Sequence, residues 1–123
     1  MIDYPDNFFK SVASDFDGVF EWGYLAGAFP RGIMPMDWDG VVEINNNFLV
    51  FETKDVGKEV PGGQLMALKR ATKVGPFIVV ILWGKKEPVE YQLIYKGELR
   101  EKKSCDKERI KRLCQAWVKW AEK

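Results

Sequence analysis

The stretch DWDGVVEINNNFLVFETK, residues 37–54, opens on Asp37 and Asp39 and closes on Glu52 and Lys54, with mostly apolar chain between. Two carboxylates placed opposite each other repel. A fold tolerates the pair when a divalent cation sits between them, and hard oxygen ligands select Mg²⁺ or Mn²⁺. A lysine beside that cation can orient a water or stabilise the charge that builds on phosphorus during displacement. Carboxylates, cation and ammonium together make up the chemistry of phosphodiester hydrolysis. The plainer alternative is a surface hairpin held by salt bridges. An isolated Glu-x-Lys is common and says little. The Asp thirteen positions before Glu52 is what adds specificity.

These residues meet only if the chain turns back between them. Asn45-Asn46-Asn47 is the turn signal, because asparagine tolerates positive φ. A two-residue loop at Asn45-Asn46 sets Ile44 opposite Asn47, Asp39 opposite Glu52 and Asp37 opposite Lys54. Side chains alternate along a strand, so Asp39, Glu52 and Lys54 then share one face. A four-residue loop keeps that pairing, whereas a three-residue loop moves Asp39 to the other face.

The remaining elements follow from periodicity and punctuation. DYPDNFFKSVASDF, residues 3–16, carries Phe8, Phe9, Val12 and Phe16 near helical spacing and reads as a first helix. VFEWGYLAG extends that helix or forms a strand, and AFPRGIMP is a Pro/Gly-rich connector. DVGKEVPGG is a loop, and GQLMALKRATKV is a helix stopped by Gly75 with Pro76 beyond it. PFIVVILW is a continuous apolar run and reads as a buried central strand. A strand–helix–strand unit crosses over right-handed, so strands 48–54 and 77–83 are expected to be parallel. VEYQLIY alternates as a less buried strand. The last helix covers roughly 105–122, with Ser104 or Asp106 as cap and Ile110, Leu113, Cys114, Trp117 and Ala121 as its apolar stripe. The expectation is one α/β domain over residues 1–123, a small mixed sheet flanked by helices.

Composition narrows the chemistry. Of 123 residues, 46% are apolar, enough for a real core. The chain has no histidine, which excludes Ser-His-Asp and Cys-His hydrolases, His-metal nucleases and phosphohistidine chemistry. If Cys105 and Cys114 both lie in the last helix they stand about 13 Å apart, too far to bridge. A structural zinc site wants about four Cys or His ligands. The net charge of +1 conceals an asymmetry: residues 1–53 hold nine acids and two bases, residues 54–123 nine acids and seventeen bases. An acidic metal-binding pole beside a basic anion-binding surface fits that polarity, as does a merely Lys-rich helical surface. No apolar run approaches the ~18 residues of a membrane span, and MIDYPDNFFK lacks the basic-then-apolar order of a secretory signal. Together these read as an intracellular, cytoplasmic protein.

MDWDGVVEINNNFLVFETK resembles the core motif of the PD-(D/E)xK nuclease superfamily. Within it the chain most resembles small phage-encoded members, VRR-type nuclease domains and archaeal Holliday-junction resolvases. The motif Asp falls on Asp39, and the motif Glu and Lys on Glu52 and Lys54. GGQLMALKRA resembles the helix after the motif strand, where many members carry a Gln, and Gln64 stands there. The resemblance covers roughly residues 20–83. It implies a restriction-endonuclease-like α-β-β-β-α-β core, Mg²⁺- or Mn²⁺-dependent cleavage of DNA, and often a homodimer. Asp39, Glu52, the backbone carbonyl of Thr53 and an upstream acid would hold the cation. Glu21 is the first choice for that acid, since its neighbours Phe20 and Trp22 suggest partial burial, where an acid needs a partner. Asp6 and Asp15 are alternatives. The Pro that often precedes the motif Asp is replaced here by Trp38.

Other residues carry weaker signals. Gln64 could position a water or a DNA phosphate, or make local bonds in the first helical turn. Gly62 and Gly63 would let a phosphate approach the N–H groups there. Lys58, Lys69, Arg70 and Lys73 follow the motif and as a group mark a nucleic-acid groove. Lys85 and Lys86, after the central strand, could touch a DNA backbone. Trp117 and Trp120 read as core or dimer contacts rather than base-stacking platforms, and DWDG lacks the later spacing of an EF-hand. The rival to a nuclease is a silent module of the same fold that binds DNA or a protein partner.

Overall fold

The computed structural model describes residues 22–123. The expected first helix lies outside the described residues, as do Glu21, Asp6 and Asp15. The chain divides into two compact units, Met1–Met36 and Asp37–Lys123. In the described part of the first, Gly23–Leu25 and Pro30–Gly32 are single 3₁₀ turns. The described part of VFEWGYLAG is thus neither α-helix nor strand. Its glycines explain this, since Gly27 adopts a φ of 83° that regular elements do not use.

The second unit contains β1 (Gly40–Ile44), β2 (Asn47–Lys54), α1 (Gly62–Val74), β3 (Phe77–Gly84), β4 (Pro88–Tyr95), β5 (Glu98–Leu99), β6 (Lys103–Ser104) and α2 (Lys107–Ala121). The sheet runs β1-β2-β3-β4-β5, with β6 also on β4. Strands β2 and β3 are parallel, as the intervening helix requires, and the other pairs are antiparallel. Among the described residues the fold is therefore a small mixed α/β arrangement, a six-stranded sheet with two α-helices.

The β1–β2 turn has the two-residue form expected from its asparagines. Ile44 pairs with Asn47, and the register continues unbroken to Gly40 opposite Phe51. Asn45 and Asn46 sit at φ 53° and 67°, the two positive values that a hairpin turn matched to strand twist needs. The backbone N–H of Asn46 donates to Glu43 Oε2 at 2.7 Å. The side-chain amides of Asn45 and Asn47 both donate to the Ala121 carbonyl, at 3.3 and 3.4 Å. They thereby satisfy an end-of-helix acceptor that has no intrahelical partner. Asn46→Val is expected to cost about 1–2 kcal/mol, because a β-branched residue resists the left-handed region. Asn46→Gly should be neutral or stabilising. Urea midpoints read both, and equal midpoints for the two variants would refute this account of the turn.

Alternation along the strands sorts the core into two layers. On one face Leu68 of α1 packs with Val50, Val79, Ile81, Trp83 and Ile94. On the other, Leu49, Val80 and Tyr91 pack with Ile110, Trp117 and Ala121 of α2. Consecutive residues such as Leu49 and Val50 thus serve opposite layers. Strand β3 is covered on both sides, which is why its sequence is an unbroken apolar run. Each fully buried aliphatic side chain contributes about 1.5–3 kcal/mol. Helix α2 begins two residues later than the sequence suggests. Its cap is Asp106, whose carboxylate accepts from Arg109 N at 2.8 Å, while Ser104 belongs to β6. Cys105 therefore precedes the helix, and both cysteines are free thiols. Trp117 is core, whereas Trp120 is 46% exposed. Because β2 alternates, Glu52 and Lys54 follow Val50 onto the α1 face.

Candidate active site

Glu52 is an acid in a place built for an aliphatic residue. It is 2% exposed. Its Oε2 accepts a hydrogen bond from Gln64 Nε2 at 2.9 Å, while its Oε1 is buried with no hydrogen-bond partner among the described residues. Leaving a buried carboxylate oxygen unpaired is costly. Burial accordingly pushes the Glu52 carboxyl above the usual carboxylate range, and the neighbouring Asp39 charge pushes it further. The Gln64 hydrogen bond, the Lys54 ammonium and the Asp39 backbone N–H pull the other way.

Asp39 is exposed and sits just past the end of the β1 ladder. Its Oδ2 accepts from the Thr53 backbone N–H at 2.8 Å and from the Thr53 hydroxyl at 3.0 Å. In an antiparallel pair the hydrogen-bonding groups of alternate residues face the partner strand. The Thr53 N–H falls where the next ladder bond would be, and the Asp39 carboxylate takes the place of a strand carbonyl. The N–H and C=O of one strand residue point the same way, so the Thr53 carbonyl faces the Asp39 side too. Asp39 is thus fixed at the edge of β2, close enough for its charge to act on Glu52.

Lys54 is half-buried, and its charge favours the ionised form of Glu52. The hairpin parity expected from the sequence would set Asp37 opposite it, yet the two form no salt bridge. The salt bridges among the described residues are Lys102–Glu90 and Lys107–Glu87. The alternative of a hairpin held by a Lys54–Asp37 salt bridge therefore finds no support in its contacts. Gln64, in the first turn of α1, reaches across to β2 instead of bonding locally. It orients Glu52, a role the sequence did not single out.

Among the described residues no group of three or more Asp, Glu, Cys or His side chains could hold a metal ion. Asp39 and Glu52 supply two, and the upstream acid lies outside the described residues. What they offer suits a hard cation. The donors are all oxygen, one buried oxygen lacks a partner, and two like charges sit side by side. Mg²⁺ needs only one or two carboxylates and keeps several waters.

The basic residues separate. Lys58 joins Lys54, Lys85 and Lys86 around a cleft of about 550 Å³ at the carboxyl ends of β2 and β3. Lys69, Arg70 and Lys73 lie farther along α1. The Lys73 stem packs against Gly97, beyond Tyr95 at the end of β4. Tyr95 pairs with Ile78 and Glu52 with Ile81, three residues or about 10 Å apart along β3. The expected groove thus has Lys58 in the cleft and Lys73 toward the other end of the sheet. Helix α1 has Pro61 at its N-cap, with no side-chain cap. A Cβ added at Gly62 or Gly63 would meet nothing within 4 Å, so that turn is open on its outer side.

No protein-family model matches the chain, and neither does any curated protein or solved structure. Among the described residues no helix is long and apolar enough to cross a membrane.

Proposed function

We propose that the protein is a divalent-metal-dependent nuclease with a PD-(D/E)xK-type site and a restriction-endonuclease-like sheet, hydrolysing phosphodiester bonds in DNA. The observation that carries this reading is the buried Glu52, whose Oε1 has no partner among the described residues, beside Asp39 and on the same face as Lys54. A structural acid would have been given a full set of donors or replaced by an apolar residue. Asp39, Glu52 and the Thr53 carbonyl would hold Mg²⁺ or Mn²⁺, joined by an acid outside the described residues, Glu21 first. Bound there, the cation would neutralise phosphate charge and lower the pKa of water.

The chain's own groups do the rest. Glu52 is held in one orientation by Gln64, a positioning residue. Asp39 is held by two donors from Thr53. Lys54, on the same face, has an ammonium with no ion-pair partner among the described residues, available to the negative charge that grows on the phosphate oxygens. Lys58, Lys69, Arg70 and Lys73 add positive charge for a DNA backbone. Incubating the chain with labelled junction, flap, nicked and linear DNA is expected to give cleavage with Mg²⁺ or Mn²⁺ that EDTA abolishes. Binding without cleavage of any substrate would replace this reading with the silent DNA-binding module.

A further inference from the structure

We propose that the lysine-lined cleft at the ends of β2 and β3 receives one to two nucleotides of a single nucleic-acid strand, its phosphates held by Lys58, Lys85 and Lys86. The placement of the attacked phosphate next to Lys54 rests on the nuclease reading, whereas binding in the cleft does not need catalysis.

The cleft is bounded by two loops that the fold fixes. Trp83 Nε1 donates to the Lys58 carbonyl at 2.6 Å, which pins the loop after β2 to the end of β3. On the other side a register shift follows Trp83, and a Cβ at Gly84 would collide with the Glu87 carbonyl oxygen. Only glycine lets the chain fold back this tightly, and the bend re-aims Lys85 and Lys86. Ligands of open α/β sheets collect at the carboxyl ends of parallel strands, and β2 and β3 are the parallel pair here.

Charge and size then select the ligand. Lys54, Lys58, Lys85 and Lys86 line the cleft and form no salt bridge with described residues. Asp55, Glu59 and Glu87 line it too, but Glu87 is already paired with Lys107 at 3.0 Å. Four free ammonium groups over two free carboxylates favour an anion. A volume of about 550 Å³ is that of a small-ligand site, room for a nucleotide or two of one strand. The walls also include Leu82, Pro61 and Pro88. The Trp83 ring is no stacking platform, being 3% exposed and covered by Lys102 Nζ at 3.9 Å from its centroid. Recognition therefore runs through phosphates and is indifferent to base sequence. The substrates that fit are strand ends, flaps and unpaired segments.

The test is metal-free binding of a fluorescent single-stranded oligonucleotide to the full chain across a salt series. Lys85→Ala/Lys86→Ala is expected to weaken binding about tenfold or more at low salt. It should also lower the slope of log affinity against log salt by roughly 1.4, the counterions of two single-strand phosphate contacts. Lys111→Ala on α2, an exposed lysine outside the cleft, should change neither, and all variants should melt alike. A wild-type slope in the double variant overturns the proposal, as does blunt duplex binding as tightly as the single strand. Full competition by inorganic phosphate would reassign the cleft to a small phosphate ligand. With Mg²⁺ added, strand binding that depends on Lys85 and Lys86 but no cleavage of any DNA leaves the cleft standing and removes the nuclease. Cleavage by wild type with no effect of the double variant does the reverse.

Discussion

Lys54→Ala is expected to cut DNA cleavage by about 10²-fold or more, while divalent-cation binding holds or tightens. The two effects separate because the lysine carries charge of the same sign as the cation. Removing it leaves Asp39 and Glu52 intact and takes away a competitor for their negative charge. The same removal strips one stabilising charge from the transition state. Lys54 has no ion-pair partner among the described residues, so its removal breaks no salt bridge among them. Lys54→Arg should rescue little, since a planar fork does not place its charge where a compact ammonium does. Calorimetric Mn²⁺ titration and cleavage of labelled DNA, run on each variant, read the two arms. Cleavage by Lys54→Ala at the wild-type rate would remove the lysine from the mechanism.

Glu52→Gln should lower both metal affinity and cleavage, by more than the roughly 10–100-fold that an outer-shell partner is worth. It should also raise the stability of the metal-free protein at neutral pH. The folded-state pKa of Glu52 lies above its ordinary value of 4.5, mainly through burial and then through Asp39. The native state therefore binds this proton more tightly than the unfolded chain does. Stability from this group is full below the ordinary value and is lost as pH rises through the folded value. Glutamine keeps the shape and the Gln64 contact and does not titrate. The melting temperature of the variant should thus pull ahead of wild type as pH goes from about 4 to about 7. Added Mg²⁺ should reverse the order, because it stabilises only the form that binds it. A gap that narrows with rising pH, or equal stabilisation of both proteins by Mg²⁺, would show that Glu52 is not an ionised ligand.

The hairpin was legible in the residues because its determinants are local. Strand side chains repeat every two positions, and Asn45-Asn46 accepts the positive φ of a two-residue turn. Once that loop length is given, Glu52 and Lys54 have no freedom in which face they take, whereas Asp39 lies just past the end of β1 and its carboxylate turns to the Thr53 N–H and hydroxyl at the edge of β2. The same locality carried the parallel pairing of β2 with β3 across α1 and narrowed the last helix's cap to Ser104 or Asp106, of which Asp106 caps it. It failed where elements are too short to show a period. Glu98–Leu99 and Lys103–Ser104 are two-residue strands recruited by β4, and the second, followed by a Cys105 N–H bond to the Val89 carbonyl, takes Ser104 out of the capping position and Cys105 out of the last helix.

What the sequence determined by itself is the set of groups: two carboxylates and a lysine brought to one end of a hairpin, a basic second half, and no histidine. Only the tertiary structure decided their state. Glu52 is buried because α1 lies over that face of the sheet, and the same packing brings Gln64 from twelve positions away to one of its oxygens and leaves the other bare. Lys58 and Lys73 look alike in sequence, yet one lines the cleft while the other packs against Gly97. Lys85 and Lys86 join Lys54 and Lys58 because parallel strands end together. Periodicity along a chain fixes which way a side chain points, but desolvation and charge depend on which other segments arrive beside it, and those meetings are set by packing across the whole sheet.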